Sequence, residues 1–214
     1  MIFKNRFHAG KLLARELLNL KLDPKAAIIA GVPRGGVMVA SVVARELAIP
    51  VSAVVIKKLG APSNRELAIG ATASHGKPVL DQWLIADLRV SKEYLKVEIL
   101  KKRREAAARE KFLGINERDF ADKEVVLVDD GLATGQTARA AAKILKKLGA
   151  KKLILAVPCA SPSTLDLVRG DFDEVVCPVV DPDLVAVGQF YRDFSEVSDS
   201  EVKEMLEKHL TTDI

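Results

Sequence analysis

Two adjacent acids, Asp129 and Asp130, follow an apolar run at residues 125–128. A turn rich in Gly and Thr comes next, and the Ala- and Lys-rich segment 138–148 is typical of a helix. Neighbouring carboxylates repel each other, so both stay ionised only beside cations or hydrogen-bond donors. A vicinal diol with a nearby Mg²⁺ supplies both, so the two acids are candidates for binding a sugar.

The turn after the acids offers successive backbone N–H groups at the start of the predicted helix. Oriented amides and the positive end of a helix dipole form a cradle for phosphate, and threonine hydroxyls add hydrogen bonds. Acids for a diol beside amides for a phosphate predict a ribose 5-phosphate site. The residues of the predicted phosphate turn are Gly131, Leu132, Ala133, Thr134, Gly135, Gln136 and Thr137.

Three other interpretations explain this motif less well. A P-loop requires a longer spacing between its glycines and a lysine where Gln136 stands. An acidic metal site of the receiver type would not need the Thr–Gly–x–Thr pattern that follows. A simple turn in which the acids only cap the helix explains fewer of the coinciding features.

A second candidate loop follows the short apolar strand predicted at 26–30 and precedes a helix predicted at 37–47. Its Gly and Pro residues fix a tight turn with outward N–H groups, and arginine offers a fork of donors for phosphate oxygens. The alternative is an ordinary turn with a surface arginine, and the spacing is not that of a dinucleotide-binding loop. The residues are Val32, Pro33, Arg34, Gly35 and Gly36.

A third region begins after the β-branched strand predicted at 51–56. Residues 57–66 contain Gly, Pro and Asn with the cations Lys57, Lys58 and Arg65, which predicts a long mobile loop. A short β-ribbon is expected over 67–73 and 78–80, followed by a helix at 91–111. The piece 58–118 is long for a connection between sheet strands, and such connections are often lids. The cations could equally be a solvated surface.

Strands that alternate with helices predict a mostly parallel, doubly wound α/β sheet within a single domain, 1–214. The further elements expected are helices at 8–20, 165–169 and 199–209, and strands at 152–157 and 174–180. Phe190, Tyr191 and Phe194 lie close together in the sequence, and we expect them to close a core rather than to stack on a ligand.

The composition, with 49% hydrophobic and 29% charged residues in 214, is that of an ordinary globular protein. A net charge of +4 suits an anionic small molecule as well as nucleic acid. The two cysteines, Cys159 and Cys177, have no metal spacing and are expected to be buried thiols. We find no apolar leader at 1–10 and no membrane-length apolar run, so we expect a cytoplasmic protein.

The stretch 125–137 resembles the phosphoribosyl-pyrophosphate (PRPP) motif of type I phosphoribosyltransferases. Residues 31–36 fall where these enzymes have a pyrophosphate-binding loop, and residues from 58 onward where they have a flexible loop that closes over PRPP. The order of elements is most similar to a group of phosphoribosyltransferases of unassigned acceptor. The likeness covers most of the chain and is weakest over 78–118. It implies a type I phosphoribosyltransferase-like fold, with helices on both faces of the sheet and a lid at 58–118.

The resemblance also implies roles for the matching residues. Asp129 and Asp130 would hold the ribose hydroxyls, and the turn Gly131 to Thr137 would bind the 5-phosphate. The pyrophosphate, bridged by Mg²⁺, would contact the loop Val32 to Gly36 and the cations Lys57, Lys58 and Arg65, of which Lys57 is the most expected. Arg34, Lys57, Asp129 and Asp130 are therefore the catalytic candidates. Mg²⁺ would bind through PRPP, with Asp129 or Asp130 as a further ligand. The family often has a non-proline cis peptide in this loop, and whether Pro33 or Arg34 takes part stays open.

Two positions depart from the family pattern. Gly131 stands where a bulky aliphatic residue is usual, which predicts a looser turn. Ala133 stands where the 6-oxopurine salvage enzymes have an aspartate, so a hypoxanthine–guanine enzyme is disfavoured. Adenine phosphoribosyltransferases carry the same Ala–Thr–Gly, which is a slim indication of adenine.

The resemblance implies an enzyme that transfers the phosphoribosyl group of PRPP, with Mg²⁺, to a nitrogenous base or amine in nucleotide salvage or synthesis. The alternative is a non-catalytic regulator that senses PRPP or nucleotides on the same fold. No segment is left for a DNA-binding domain, so the expected partners are PRPP, a small-molecule acceptor and a second copy in a homodimer. Acceptor selection would come from a hood formed by the N-terminus and 158–214.

Overall fold

The structure, a computed structural model, describes residues 2–65, 67–115 and 120–210, the last three by their backbone alone. The helices are α1 (Arg6–Leu17), α2 (Gly35–Leu47), α3 (Gln82–Asp87), α4 (Lys92–Leu113), α5 (Gln136–Lys147), α6 (Pro162–Arg169) and α7 (Asp199–Leu210). The strands are β1 (Ala27–Gly31), β2 (Val51–Ala53), β3 (Lys57–Gly60), β4 (Ala68–Thr72), β5 (Val79–Leu80), β6 (Glu124–Val128), β7 (Lys152–Ala156), β8 (Cys159–Ala160), β9 (Glu174–Val176) and β10 (Val179–Val180).

The central sheet has five parallel strands in the order β2-β1-β6-β7-β9. Helices connect these strands on both faces, which confirms the doubly wound α/β fold predicted from the sequence. The winding changes direction between β1 and β6, because β1 leads to β2 on one side and β6 leads to β7 on the other.

The central strand β6 is buried on both faces, and its side chains alternate between two cores. Val125 and Leu127 belong to a core that includes Ala138 and Leu145 of α5. Val126 and Val128 belong to a second core with residues of α1 and α2. Two-sided burial explains why the sequence of β6 is a continuous apolar run rather than an alternating one.

The prediction of a mobile loop at 57–66 is wrong for its first four residues, because Lys57–Gly60 form strand β3. This strand pairs antiparallel with β4, and β4 pairs antiparallel with β5, so the ribbon expected at 67–80 is present. Leu59 and Ile69 are fully buried in a small core that β3 and β4 share with α3 and α4. The pairing depends on a partner strand further along the chain, which the local Gly- and Lys-rich sequence does not reveal.

The strand predicted at 174–180 is also divided, into β9 and β10. β9 ends the central sheet, whereas β10 pairs with β8 in a separate two-stranded sheet. Pro178 lies between them and has no N–H to donate to a ladder, which accounts for the break.

The core interpretation of the C-terminal aromatics holds for two of the three. Phe190 and Tyr191 are buried in a cluster with Phe3 and Cys159, whereas Phe194 is 38% exposed. The Phe3 N–H donates to the Phe190 carbonyl, and the Arg192 N–H donates back to the Phe3 carbonyl. The N-terminal and C-terminal segments therefore lie side by side.

Cys159 and Cys177 are free thiols, and burial raises their pKa to about 12 and about 11. Both stay protonated near neutral pH, as expected of structural thiols.

Parts of the predicted segments lie outside the described residues. They are Glu66 in the loop, residues 116–118 of the lid and 211–214 of the hood. Within the ranges given above, no helix is both long and apolar enough to span a bilayer.

Candidate functional site

The carboxyl ends of β1 and β6 lie side by side at the point where the winding of the sheet changes direction. Gly31 is the register partner of Val128, and the Val32 N–H donates to the Val128 carbonyl over 2.9 Å. Loops that leave such a point in opposite directions open a crevice, which is where ligands of doubly wound sheets bind. The two loops here are residues 32–36 and 129–135.

The two acids follow β6 directly, and both are half-buried. The Asp130 N–H donates to Oδ1 of Asp129 over 2.9 Å. Burial raises the pKa of the Asp129 carboxyl well above its usual range, and the negative charge of Asp130 raises it further. The hydrogen bond from the Asp130 N–H and the charge of Arg6 act in the opposite direction. The environment thus favours a proton on Asp129.

Asp130 is held through both its side chain and its backbone. Its Oδ2 accepts a hydrogen bond from Nε of Arg6 over 2.8 Å, with side chains only 16% and 8% exposed. The Tyr191 hydroxyl donates to the Asp130 carbonyl over 2.7 Å. Burial raises the pKa of Tyr191, so this hydroxyl remains a donor.

The glycines of the first loop lie directly against the acids. A Cβ on Gly35 would be 2.0 Å from Oδ2 of Asp130 and 2.8 Å from Nε of Arg6. A Cβ on Gly36 would be 2.9 Å from both Cα and Oδ1 of Asp129. The loop can approach the acids this closely only because neither residue has a side chain.

The peptide bond between Pro33 and Arg34 is cis, although no proline follows it. This answers the question left open by the sequence, since both residues contribute to the bond. The Arg34 guanidinium pairs with Glu196 over 2.6 Å at the surface, where the two side chains are 43% and 76% exposed. Exchange of such an exposed partner for a ligand phosphate costs little, because exposed ion pairs are weak.

The second loop leads into α5 with the geometry of an anion cradle. Gly135 is the N-cap of α5 at φ +69°, and no side chain caps the helix at this residue. Ala133, Thr134 and Gln136 are exposed, and Thr137 is half-buried. Because the first turn of a helix leaves its N–H groups without intrahelical partners, this end can bind a phosphate.

Gly131 predicts a loose turn, but the start of this loop is tightly packed in the structure. A Cβ on Gly131 would be 2.6 Å from Cγ1 of Val187 and 3.0 Å from Sγ of Cys159. The Leu132 N–H donates to the Cys159 carbonyl over 2.9 Å. Glycine therefore allows the turn to pack against the C-terminal segment, and a larger residue would need these neighbours to move.

A cleft of about 640 Å³ extends from the two loops toward the three-stranded sheet of β3, β4 and β5. It brings together Val32 and Pro33 of the first loop, Gln136 and Thr137 of the second, and Lys58 of β3. Its wall on α5 adds Arg139 and Lys143. The other predicted site residues are not among the described residues that line the cleft. They are Arg34, Gly35, Gly36, Lys57, Arg65, Asp129, Asp130, Gly131, Leu132, Ala133, Thr134 and Gly135.

The three predicted lid cations point in different directions. Lys58 lines the cleft. Neighbouring residues of a strand point to opposite faces, so Lys57 points away from the cleft. A hydrogen bond from Lys102 lowers the pKa of Glu105 on α4, and the charge of Lys57 adds to that effect. Nη1 of Arg65 lies 3.4 Å from Oε2 of the buried Glu98.

The oxygen atoms of the two acids suit a Mg²⁺ ion that also binds ligand phosphates and water, rather than an ion bound by protein groups alone. No group of three or more His, Cys, Asp or Glu side chains suited to a metal occurs in the described parts of the chain. Mg²⁺ prefers six oxygen ligands and usually takes several from phosphates and water. Asp129 and Asp130 can therefore supply at most a minority of its ligands.

Arg6 contacts Asp130 but is absent from the site residues predicted from the sequence. It stands 124 positions before its partner Asp130, in a helix whose other residues suggest only an amphipathic surface element. Its one local signal is a charged side chain at the first turn of α1, just where the helix begins to be buried.

Comparison with known proteins places this geometry in a family. Residues 3–195 match the family model of the phosphoribosyl transferase domain. Over 209 residues, 97% of the chain, the sequence is 37% identical to Rv0571c of Mycobacterium tuberculosis, which is named provisionally as a phosphoribosyl transferase. The chain spans about half the length of the curated relatives it matches, with 47% of this one covered.

Two further relatives cover different extents of the chain. A stretch of 75 residues, 35% of the chain and 34% of the relative, is 39% identical to the uracil phosphoribosyltransferase of Brevibacillus brevis. The crystal structure of TT1426 from Thermus thermophilus has a TM-score of 0.81 and 37% identity to this chain. That likeness covers 97% of this chain and 99% of TT1426.

We expect Asp129→Asn to stabilise the folded chain at about pH 8. An acid with a raised pKa binds its proton more tightly when folded than when unfolded, so stability falls as pH rises through the raised value. Asparagine carries no charge and still accepts the Asp130 N–H, which should add about 1 kcal/mol to the free energy of unfolding. The gain should shrink toward about pH 4, where a free aspartate is also protonated. Urea denaturation across this range measures it, and a gain independent of pH would contradict the assignment.

We expect Gly35→Ala to lower the free energy of unfolding by about 1–3 kcal/mol, because the new methyl group would displace the carboxylate of Asp130. Gly170→Ala is the matched control, since a Cβ there would meet no heavy atom within 4 Å and the backbone is right-handed helical. The control should change stability by no more than about 0.5 kcal/mol. Equal losses in the two variants would show that the close approach at Gly35 is not tightly constrained.

Proposed function

The chain belongs to the phosphoribosyl transferase domain family, and from this premise we propose that it uses PRPP as its substrate. The proposed reaction transfers the 5-phosphoribosyl group to a nitrogenous base or amine and releases pyrophosphate. One observation carries the proposal, namely that two acids and the uncapped start of α5 lie together at the switch point of the sheet. The type I phosphoribosyltransferase-like fold predicted from the sequence is the fold observed.

In this proposal the ribose diol lies against Asp129 and Asp130. Its hydroxyls donate to carboxylate oxygens, and donors of this kind favour the ionised form of an acid. Ribose binding would therefore draw the proton from Asp129, whose pKa is raised in the free protein. The 5-phosphate would accept hydrogen bonds from the N–H groups at the start of α5 and from the hydroxyls of Thr134 and Thr137.

The leaving pyrophosphate would lie against the first loop, Val32 to Gly36. The N–H groups of Gly35 and Gly36 begin α2, and the Arg34 guanidinium can leave the exposed Glu196 for a phosphate. Asp129 or Asp130 could contribute a ligand to Mg²⁺, which would supply positive charge to stabilise the leaving group. These residues would stabilise a transition state with oxocarbenium character at C1 of the ribose without forming a covalent bond to it.

The piece 58–118 is proposed as the lid and 158–214, with the N-terminus, as the hood that selects the acceptor. The described lid is a small sheet covered by α3 and α4, and its face toward the cleft carries Lys58. Exclusion of water by such an element protects the reactive sugar from hydrolysis. The same family likeness is the ground for proposing a homodimer and a cytoplasmic location.

The first test replaces both acids. We expect Asp129→Asn with Asp130→Asn to weaken the binding of PRPP and Mg²⁺ at least 100-fold in calorimetry, because the diol loses both charged acceptors. Circular dichroism should show that the fold survives. Asp166→Asn, an exposed acid on α6, is the control and should leave the affinity within twofold.

An unchanged PRPP affinity in the double variant would overturn the proposed site. Pyrophosphate release from a panel of bases and amines with PRPP and Mg²⁺ then identifies the acceptor. PRPP binding without release for any acceptor would instead favour a PRPP-sensing protein over an enzyme.

The second test separates two neighbouring lysines. Since Lys58 lines the cleft and Lys57 points to the opposite face of β3, we expect Lys58→Ala to lower pyrophosphate release about 100- to 1000-fold, the range for loss of one charge-stabilising donor. Lys57→Ala, its matched control, should have the smaller effect. A larger loss for Lys57→Ala would return the role to Lys57, as the sequence first indicated, and would require the strand to turn when the lid closes.

A further inference from the structure

Arg6 contacts Asp130, the acid proposed to bind the ribose, and is itself largely buried. Its side chain is only 8% exposed, and its Nε already donates to Oδ2 of Asp130. We propose that Arg6 is a positioning residue, which fixes the orientation of the Asp130 carboxylate for the ribose hydroxyls. The inference rests on the proposed function, because it assigns Asp130 to the ribose of PRPP.

The guanidinium of Arg6 is held on three sides. Nε contacts Asp130, and Nη1 donates to the carbonyl of Ser195 over 2.8 Å. The Phe194 ring lies against the guanidinium, with Cζ of Arg6 3.8 Å from the ring centroid. Hydrogen bonds use the edge of the planar guanidinium and stacking uses its face, so together they restrict it. A guanidinium fixed in this way gives the carboxylate one preferred orientation.

The backbone that carries Arg6 is fixed as well. Arg6 is the first residue of α1, and the Asn5 side chain caps this helix by accepting from the His8 N–H. The segment before the helix pairs with the C-terminal segment, where the Asp193 N–H donates to the Lys4 carbonyl over 3.1 Å. The stacked Phe194 and the acceptor Ser195 follow Asp193 directly. The arginine and the groups that hold it are therefore parts of one paired structure.

Arg6 also places a positive charge beside the pair of acids. Its Nε lies 2.8 Å from Oδ2 of Asp130, so electrostatic attraction adds to the hydrogen bond that orients this carboxylate. Without Arg6, two half-buried carboxylates would adjoin each other with no cation at hydrogen-bond distance among the described residues.

A double-mutant cycle tests whether Arg6 acts through Asp130. The dissociation constant of PRPP with Mg²⁺ is measured for the wild-type chain, Arg6→Met, Asp130→Asn and the double variant. We expect Arg6→Met to weaken PRPP binding about 10- to 100-fold, the cost of a lost charged hydrogen bond. In the Asp130→Asn background the same substitution should cost less than about twofold, because the group that it positions is no longer charged.

The chain offers another ion pair as a control. Nζ of Lys152 on β7 pairs with Oε2 of Glu174 on β9 over 3.5 Å, and neither residue lines the cleft. Glu174→Gln breaks that pair away from the acids and should leave the PRPP dissociation constant within about twofold. This control separates a specific effect on the ribose acid from the general loss of an ion pair.

A second pair of measurements keeps the test decisive if Arg6→Met folds poorly. Arg6→Lys keeps the charge but loses the fork, so its PRPP affinity should lie between those of the wild type and Arg6→Met. Added guanidinium should restore PRPP binding to Arg6→Ala several-fold, which a purely structural role would not allow.

Effects of Arg6→Met and Asp130→Asn that multiply in the double variant, or an Arg6→Met affinity equal to wild type, would overturn the role of Arg6. A wild-type chain that does not bind PRPP would overturn the proposed function itself, so the two failures are distinguishable.

Discussion

Two carboxylates are forced into contact where β6 ends, and much of the surrounding structure compensates for their repulsion. Burial and the charge of Asp130 raise the pKa of Asp129, so the environment favours a protonated Asp129 in the free protein. Arg6 balances the charge on Asp130, and Gly35 and Gly36 provide the space that the carboxylates occupy. A site arranged in this way is less stable without its ligand, which is common where an arrangement is kept for function rather than for stability.

The sheet determines where this arrangement can form. The acids end the central strand, whose two faces are buried in two separate cores, so its position is well fixed. The switch in winding between β1 and β6 leaves space beside the acids, and the loop with the cis peptide borders that space. Because the following loop enters α5 with no side-chain cap at Gly135, its N–H groups remain directed toward the same crevice.

The sequence predicted the local structure around the acids better than its surroundings, for a physical reason. Strand β6, the acids and the turn into α5 are contiguous, so composition and spacing over 125–137 were enough to predict their arrangement. Arg6 lies 124 residues from Asp130, and no local pattern connects them. The choice between Lys57 and Lys58 required the register of β3, which depends on its pairing with β4. The tight packing of Gly131 likewise depends on Val187 in a distant segment.

The central claim is that PRPP binds to the acid pair, where the pKa of Asp129 is raised in the free protein, and it can be tested by counting protons. Calorimetric titration of PRPP and Mg²⁺ into the wild-type chain, in buffers of different ionisation enthalpy, gives the number of protons released on binding. The wild-type chain should release more protons than Asp129→Asn, by up to one, and the difference should disappear at high pH, where Asp129 is already ionised. PRPP binding with the same proton release in both chains would contradict the account.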